Sequence, residues 1–269
     1  MNLERVRGRI QYFGEFKPTL DVLNDLQKQF LLHVPFENLD IHLNIPLDYS
    51  SKNVFNKIIE NHRGGVCYEN NSLFYDILKA IGFQVNFISG EMFKGLPLKN
   101  DLDHMHMALL VRIDDEIFLV DVGNGKSFGS PIPIIKKTYS KGEDSDYIVD
   151  DFQDMKALYF KDSNGVLTPR YVFDLFPKKR EDFKQACVFI ETSTDSVFLK
   201  ETLVSLYQEE GRTTLTGAKL ISTKGVNKLT SYMSSIEELK TVLKSTFNIA
   251  LDEAQLEQLH KKTNELLIL

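Results

Sequence analysis

The spacing of apolar residues changes abruptly at Gly82. Before it, Leu73, Phe74, Ile77, Leu78 and Ile81 recur at helical intervals; after it, Phe83, Val85 and Phe87 alternate. This switch predicts helices first and an antiparallel sheet afterwards. Upstream, Thr19 can cap a helix carrying Leu20, Leu23, Leu26, Phe30 and Leu31 on one broad face, and Pro35 stops it. Residues 34–39 then read as a loop that mixes an aromatic residue with an acid. Val54, Phe55, Ile58 and Ile59 mark a second helix. A third starts at Cys67 and ends at Gly82, placed as a stop.

Downstream, Met105, Met107, Leu109, Val111 and Ile113 alternate, as do Ile117 and Leu119 against Phe118, Val120 and Val122. Strand-like pieces continue at 147–149, 157–160 and 170–175, separated by turn residues, which suggests a barrel-like antiparallel sheet. Residues 141–146 read as an exposed loop. Past Phe183 the pattern mixes: 197–199 and 213–216 look like strands. Ser235 and Glu238 form a capping-box pattern before one closing helix, and Asp252 can cap another. Without repeats or a low-complexity linker, three packed units are expected, at 1–83, 84–190 and 191–269.

The chemistry is concentrated around Arg63-Gly64-Gly65-Val66-Cys67. Two glycines allow a sharp turn, and Cys67 falls in the first turn of the helix, where the partial positive charge of the N-terminus favours a thiolate. An activated cysteine needs a base, and the base an orienting group. If 106–123 is a hairpin with Asp114-Asp115 at its tip, Ile113 lies opposite Glu116. His106 and Asp121 then emerge on one face as diagonal neighbours, roughly 7–8 Å apart. A one-residue slip would separate them. An Asp in an apolar strand is costly without a partner. His104 shares the face and is a rival base, and Asp121 could instead serve the turn at Gly123. Arg63 and Glu37 could form a buried pair bracing the cysteine loop. Cys187 is expected to pack in a core, and His33, His42, His62 and His260 to lie at the surface or at caps.

A net charge of -6 argues against nucleic-acid or anionic-membrane binding, and no apolar run approaches a membrane span. The opening five residues lack the pattern of a secretory leader. Two cysteines exclude a disulfide framework and fit a reducing cytoplasm, and with six scattered histidines they give no zinc-binding spacing.

Together these pieces resemble the arylamine N-acetyltransferase family. Residues 63–71 are similar to its nucleophile motif, 106–111 to its histidine motif, 121–125 to its aspartate motif and 34–39 to its Val-Pro-Phe-Glu-Asn-Leu segment. The resemblance implies an α+β multi-domain protein: an N-terminal helical bundle, an antiparallel β-barrel and a C-terminal α/β lid around a cysteine-protease- or transglutaminase-like core. It implies acetyl-CoA as co-substrate, no metal, and ping-pong acetylation of arylamines or arylhydrazines, or O-acetylation of N-hydroxyarylamines, in cytoplasmic xenobiotic metabolism. Carried over by position, Cys67 is the nucleophile, His106 (rather than His104) the base and Asp121 the orienter. Phe36, Gly123, Asn124, Gly125, Lys126 and Ser127 are the implied substrate or CoA contacts. A monomer or homodimer is expected. A transglutaminase-type acyl transferase or amidohydrolase is the competing reading. The chain departs from the family pattern at Asn124, where a phenylalanine is usual, at Ala186-Cys187, where a polar pair is usual, and in having no tryptophan.

Overall fold

The structure is a computed structural model describing residues 1–95, 104–126, 128–142, 145–161, 164–225 and 227–266. The N-terminal region is helical as its periodicity predicts. Helix α1 (Leu3–Ile10) and helix α2 (Leu20–His33) pack together, with Thr19 accepting from Val22 N as the cap of α2. Residues 34–39 are more ordered than a loop: they contain strand β1 (Phe36–Glu37), with helix α3 (Leu39–His42) directly behind it. Helix α4 (Ser51–Val54) continues as a π-helical stretch, Phe55–Glu60. Helix α5 (Cys67–Ile81) starts at the cysteine and stops at Gly82, whose φ is +105°.

The sheet that follows has eight antiparallel strands and curls into a nearly closed barrel. Its strands are β2 (Gln84–Met92), β3 (His106–Ile113), β4 (Glu116–Val120), β5 (Ile132–Pro133), β6 (Ser140–Lys141), β7 (Asp146–Phe152), β8 (Met155–Lys161) and β9 (Leu167–Phe173). They lie in the order β5-β4-β3-β2-β9-β8-β7-β6. The ends of the expected 141–146 loop are therefore paired rather than looped, because Lys141 lies opposite Asp146. Of the expected 141–146 loop, 143 and 144 lie outside the described residues. The expected strand at 170–175 ends at Phe173.

Strand β3 is buried on both faces. Met107, Leu109 and Val111 join the helices in one core, while Ala108 and Leu110 face a second core inside the barrel. This is why its sequence is nearly all apolar rather than half polar.

A 3-10 turn (Arg180–Phe183) and helix α6 (Lys184–Thr192) lead out of the barrel, and Cys187 packs in the first core as expected. Residues 197–199 are helical, not extended: Ser196 accepts from Phe198 N and caps the short helix α7 (Val197–Lys200). A β-branched and aromatic triplet reads as a strand, but the preceding cap decides otherwise. The chain closes with strands β10 (Leu203–Gln208), β11 (Gly211–Thr216), β12 (Lys219–Lys224) and β13 (Asn227–Tyr232), then helices α8 (Ile236–Phe247) and α9 (Glu253–Leu266). Ser235 caps α8 by accepting from Glu238 N, although the Glu238 carboxylate accepts in return from Ser234 N rather than Ser235 N, and Asp252 accepts from Gln255 N.

A third core joins α8 and α9 to β10, β11 and α3 through Leu39, Val204, Leu215, Leu243 and Leu259. It buries His42, expected at the surface or at a cap; the residue does stand in the last turn of α3, but it is buried rather than exposed. Gln258 donates to the His42 carbonyl, and desolvation holds the imidazole pKa below its ordinary value. Strand β1 ties these regions together, with Phe36 opposite Ser205 of β10 and bridged to Gly65.

Candidate active site

Gly64 and Gly65 exist for close approach. A Cβ on Gly64 would lie 1.9 Å from the Pro35 carbonyl oxygen, so the cysteine loop can lie against the 34–39 segment only as glycine. Behind the loop is a buried charge network. The Arg63 guanidinium donates through Nε and Nη2 to both Glu37 oxygens at 2.8 and 3.0 Å, and to Asp40 at 2.7 Å. Lys57 bridges Asp40 and Glu69, each at 2.7 Å. Glu69 in turn accepts from Val66 N at 3.1 Å, satisfying a donor at the start of α5. Burial opposes the charge on Arg63 and Lys57, but the surrounding carboxylates outweigh it and hold both above their ordinary pKa values. Burial pushes Glu69 up to about 7 against the pull of Lys57.

The hairpin register is as the sequence requires: Ile113 lies opposite Glu116 and Leu109 opposite Val120. Asp114 adopts φ +50°, the left-handed conformation a tight turn needs at its first central residue. His106 and Asp121 consequently meet, with Nε2 to Oδ2 at 2.7 Å, both buried. Cys67 lies close enough to the imidazole to add to the upward pull on its pKa. Because Nε2 is committed to Asp121, Nδ1 is the nitrogen left for the thiol. Burial pulls the imidazole pKa down, yet Asp121 prevails and carries it up to about 10. The Asp121 carboxyl is kept below its ordinary value, since His106, Asn71 and the Gly123 N–H outweigh its own desolvation. His104 takes no part in this pairing; its ring packs 5.4 Å from Phe183 and its Nδ1 is buried without a partner.

Two supporting residues went unassigned at the sequence level. Asn71 donates to Asp121 Oδ1 at 3.0 Å and to the Met107 carbonyl at 2.6 Å, and accepts from Val122 N at 3.0 Å. It lies four residues after Cys67, hence on the same face of α5, and that spacing could have revealed it. Tyr171 donates to Asp121 Oδ2 at 3.1 Å and its ring lies 4.8 Å from that of His106. No local pattern announces it, because it arrives from a distant strand.

Of the expected substrate contacts, Gly123 packs on Cys67: a Cβ there would lie 2.6 Å from Cys67 Cα. Phe36, Asn124 and Gly125 line one cavity with Leu31, Val34, Val122, Ser205 and Tyr207. The last two come from β10 and were not anticipated. Lys126 is exposed, with its N–H donating to Asn124 Oδ1, while Ser127 lies outside the described residues. Among the described residues no cluster of His, Cys, Asp or Glu could hold a metal ion, and no helix is long and apolar enough to cross a membrane.

A cysteine at a helix start, beside a histidine–aspartate pair on a barrel hairpin, defines the class, a protein of cysteine-protease-like core. Comparison with known proteins makes the family explicit. A sequence model of the N-acetyltransferase family matches residues 19–256. The arylamine N-acetyltransferase pineal gland isozyme NAT-10 of Gallus gallus is 30% identical, across 94% of this chain and 95% of that protein. The arylamine N-acetyltransferase structure from Mycobacterium abscessus superposes with a TM-score of 0.87 at 25% identity, covering 98% of this chain and 95% of that one. The Mycobacterium marinum enzyme in complex with CoA gives 0.87 at 25% identity over 97% and 99% of the two chains. The chain belongs to the arylamine N-acetyltransferase family.

Proposed function

We propose that the protein transfers an acetyl group from acetyl-CoA to an arylamine or arylhydrazine through an acetyl-cysteine at Cys67. The observation that carries this reading is the buried chain of contacts from Cys67 through His106 to Asp121. In the first half-reaction the Cys67 sulfur attacks the thioester carbonyl. The carbon–sulfur bond to CoA breaks, and the departing thiolate takes a proton from the His106 imidazolium. In the second, the amine nitrogen attacks the acetyl carbonyl and gives its proton to His106 as the Cys67 thiolate leaves. Asp121 holds the imidazole with Nδ1 toward sulfur and stabilises its charged form. Backbone N–H groups at the start of α5 would receive the oxyanion in both steps.

A CoA-bound relative of the same fold supports the choice of donor. The Gly123–Gly129 loop is the proposed CoA-side element, with Lys126 and Ser127 offered to its anionic groups. We read 1–83 as the unit delivering the nucleophile, 84–190 as the unit delivering base and orienter, and 191–269 as a lid closing the acceptor side. A free catalytic thiol suits a reducing cytoplasm.

Intact mass spectrometry after mixing with acetyl-CoA should show one added acetyl group, absent in Cys67→Ala and discharged by an aromatic amine. Hydrolysis or transamidation of an amide substrate without CoA, with no acetylated protein, would overturn the reading in favour of a transglutaminase-type enzyme.

A further inference from the structure

Arg170 takes no part in the acetyl-transfer steps, yet it stands beside the groups that do. In the pairing of β8 with β9, Leu158 lies opposite Tyr171 and Tyr159 opposite Pro169, leaving Arg170 as the extra residue of a bulge. A bulge redirects neighbouring side chains out of strict alternation. Tyr171 here reaches Asp121, while Arg170 Nη2 donates to Asn124 Oδ1 at 3.0 Å, only three residues further along the same loop. The guanidinium has no carboxylate partner among the described residues, and its Nε is shielded from solvent without any acceptor. A buried donor left this way is costly, and the Nε/Nη2 edge is the geometry that takes a carboxylate through two parallel bonds. Arg63 shows this within the same chain, gripping Glu37 through Nε and Nη2.

The location is next to the reaction. Asn124 lines the cavity shared with Phe36 and Tyr207, and its neighbour Gly123 packs directly on Cys67. We propose that Arg170 is a specificity-determining residue whose Nε/Nη2 edge receives an anionic group, above all a carboxylate, on the amine to be acetylated. The inference rests on the acetyl-transfer reading. The phosphates of the acyl donor share the same chemistry, but they sit at the far end of the pantetheine arm from the sulfur. Arg170 instead adjoins the tyrosine bonded to Asp121. Asn124 belongs to the same device: its amide oxygen occupies Nη2, a role that an aromatic residue at this position could not fill.

The test measures acetyl transfer from acetyl-CoA to 4-aminobenzoate and to its uncharged isostere 4-aminobenzamide, using the full chain and the variants Arg170→Met and Arg170→Lys. The wild type should favour the carboxylate in kcat/KM. Arg170→Met should lose roughly 10- to 100-fold on the carboxylate, as expected for a charge-assisted pair. It should change the amide by less than about twofold, because an uncharged group forms no charge-assisted pair to lose. Arg170→Lys should fall between, and the KM for acetyl-CoA should not move. Equal use of both acceptors by the wild type overturns the proposal. So does a parallel loss on both acceptors, which marks a merely structural arginine, or a rise confined to the acetyl-CoA KM, which assigns the cation to the donor. Acetylation of Cys67 without amine is followed in parallel. If Cys67 is charged but discrimination is absent, only the Arg170 inference fails; if it is never charged, the acetyl-transfer reading fails with it.

Discussion

The two sides of the site treat their charges in opposite ways. On the nucleophile side, Arg63 and Lys57 are enclosed by Glu37, Asp40 and Glu69, and each of these two cations has a carboxylate within 2.8 Å. On the barrel side, the Arg170 guanidinium meets only an amide oxygen among the described residues, in a strand that bulges to present it. The first arrangement is finished: the network holds the glycine turn and the start of α5 in one geometry whether or not a ligand is present. The second is incomplete in the protein alone. Where the reaction needs fixed positions the polar groups are satisfied internally, and where a ligand must be recognised one is left to be completed.

The sharpest way to break this contrast is Asp121→Asn. An amide at that position offers the imidazole the wrong partner, and kcat is expected to fall about 10³–10⁴-fold. Rapid-quench measurement of Cys67 acetylation checks this. Next in size is the direct comparison of the two arginines by urea denaturation. Arg63→Met strands buried carboxylates and should cost about 3–5 kcal/mol. Arg170→Met forfeits one hydrogen bond and relieves an unsatisfied donor, so a change within about 1 kcal/mol is expected. Equal losses would erase the distinction between a braced side and an open one.

A further test concerns pH. The His106 pKa is raised from 6.5 to about 10, so its pairing with Asp121 contributes stability that is fully present below pH 6.5 and is lost as pH rises through 10. The stability gap between wild type and His106→Gln should therefore narrow across that interval. A gap that widens with pH would mean that the imidazole is neutral in the folded state.

Much of the site was legible because it is built from local signals. Cys67 follows two glycines at a helix start, and a two-residue turn fixes which residues of the hairpin share a face. Counting outward from Asp114-Asp115 puts His106 and Asp121 on one face once the turn is placed, but it puts His104 there too, and only the family resemblance chose between the two histidines. Asn71 could have been read by the same logic from its position on α5. The charge network was only half visible, because Arg63 and Glu37 stand in suggestive turns while Lys57 and Asp40 carry no mark of their own.

The misreadings have the same origin. Residues 197–199 carry strand-like side chains, yet Ser196 caps a helical turn there. His42 looks like a surface residue until α9 covers it.

By itself, then, the sequence determined the helical and sheet regions and brought Cys67, His106 and Asp121 forward as candidates, because each stands out through spacing over a few residues. Only the tertiary structure decided what surrounds them. Tyr171 and Arg170 reach the 121–124 loop from a strand some fifty residues away, and Ser205 and Tyr207 reach the cavity from the C-terminal sheet. Such contacts are set by how sheets and helices stack, and no spacing along the chain encodes which distant side chain will fill a given gap.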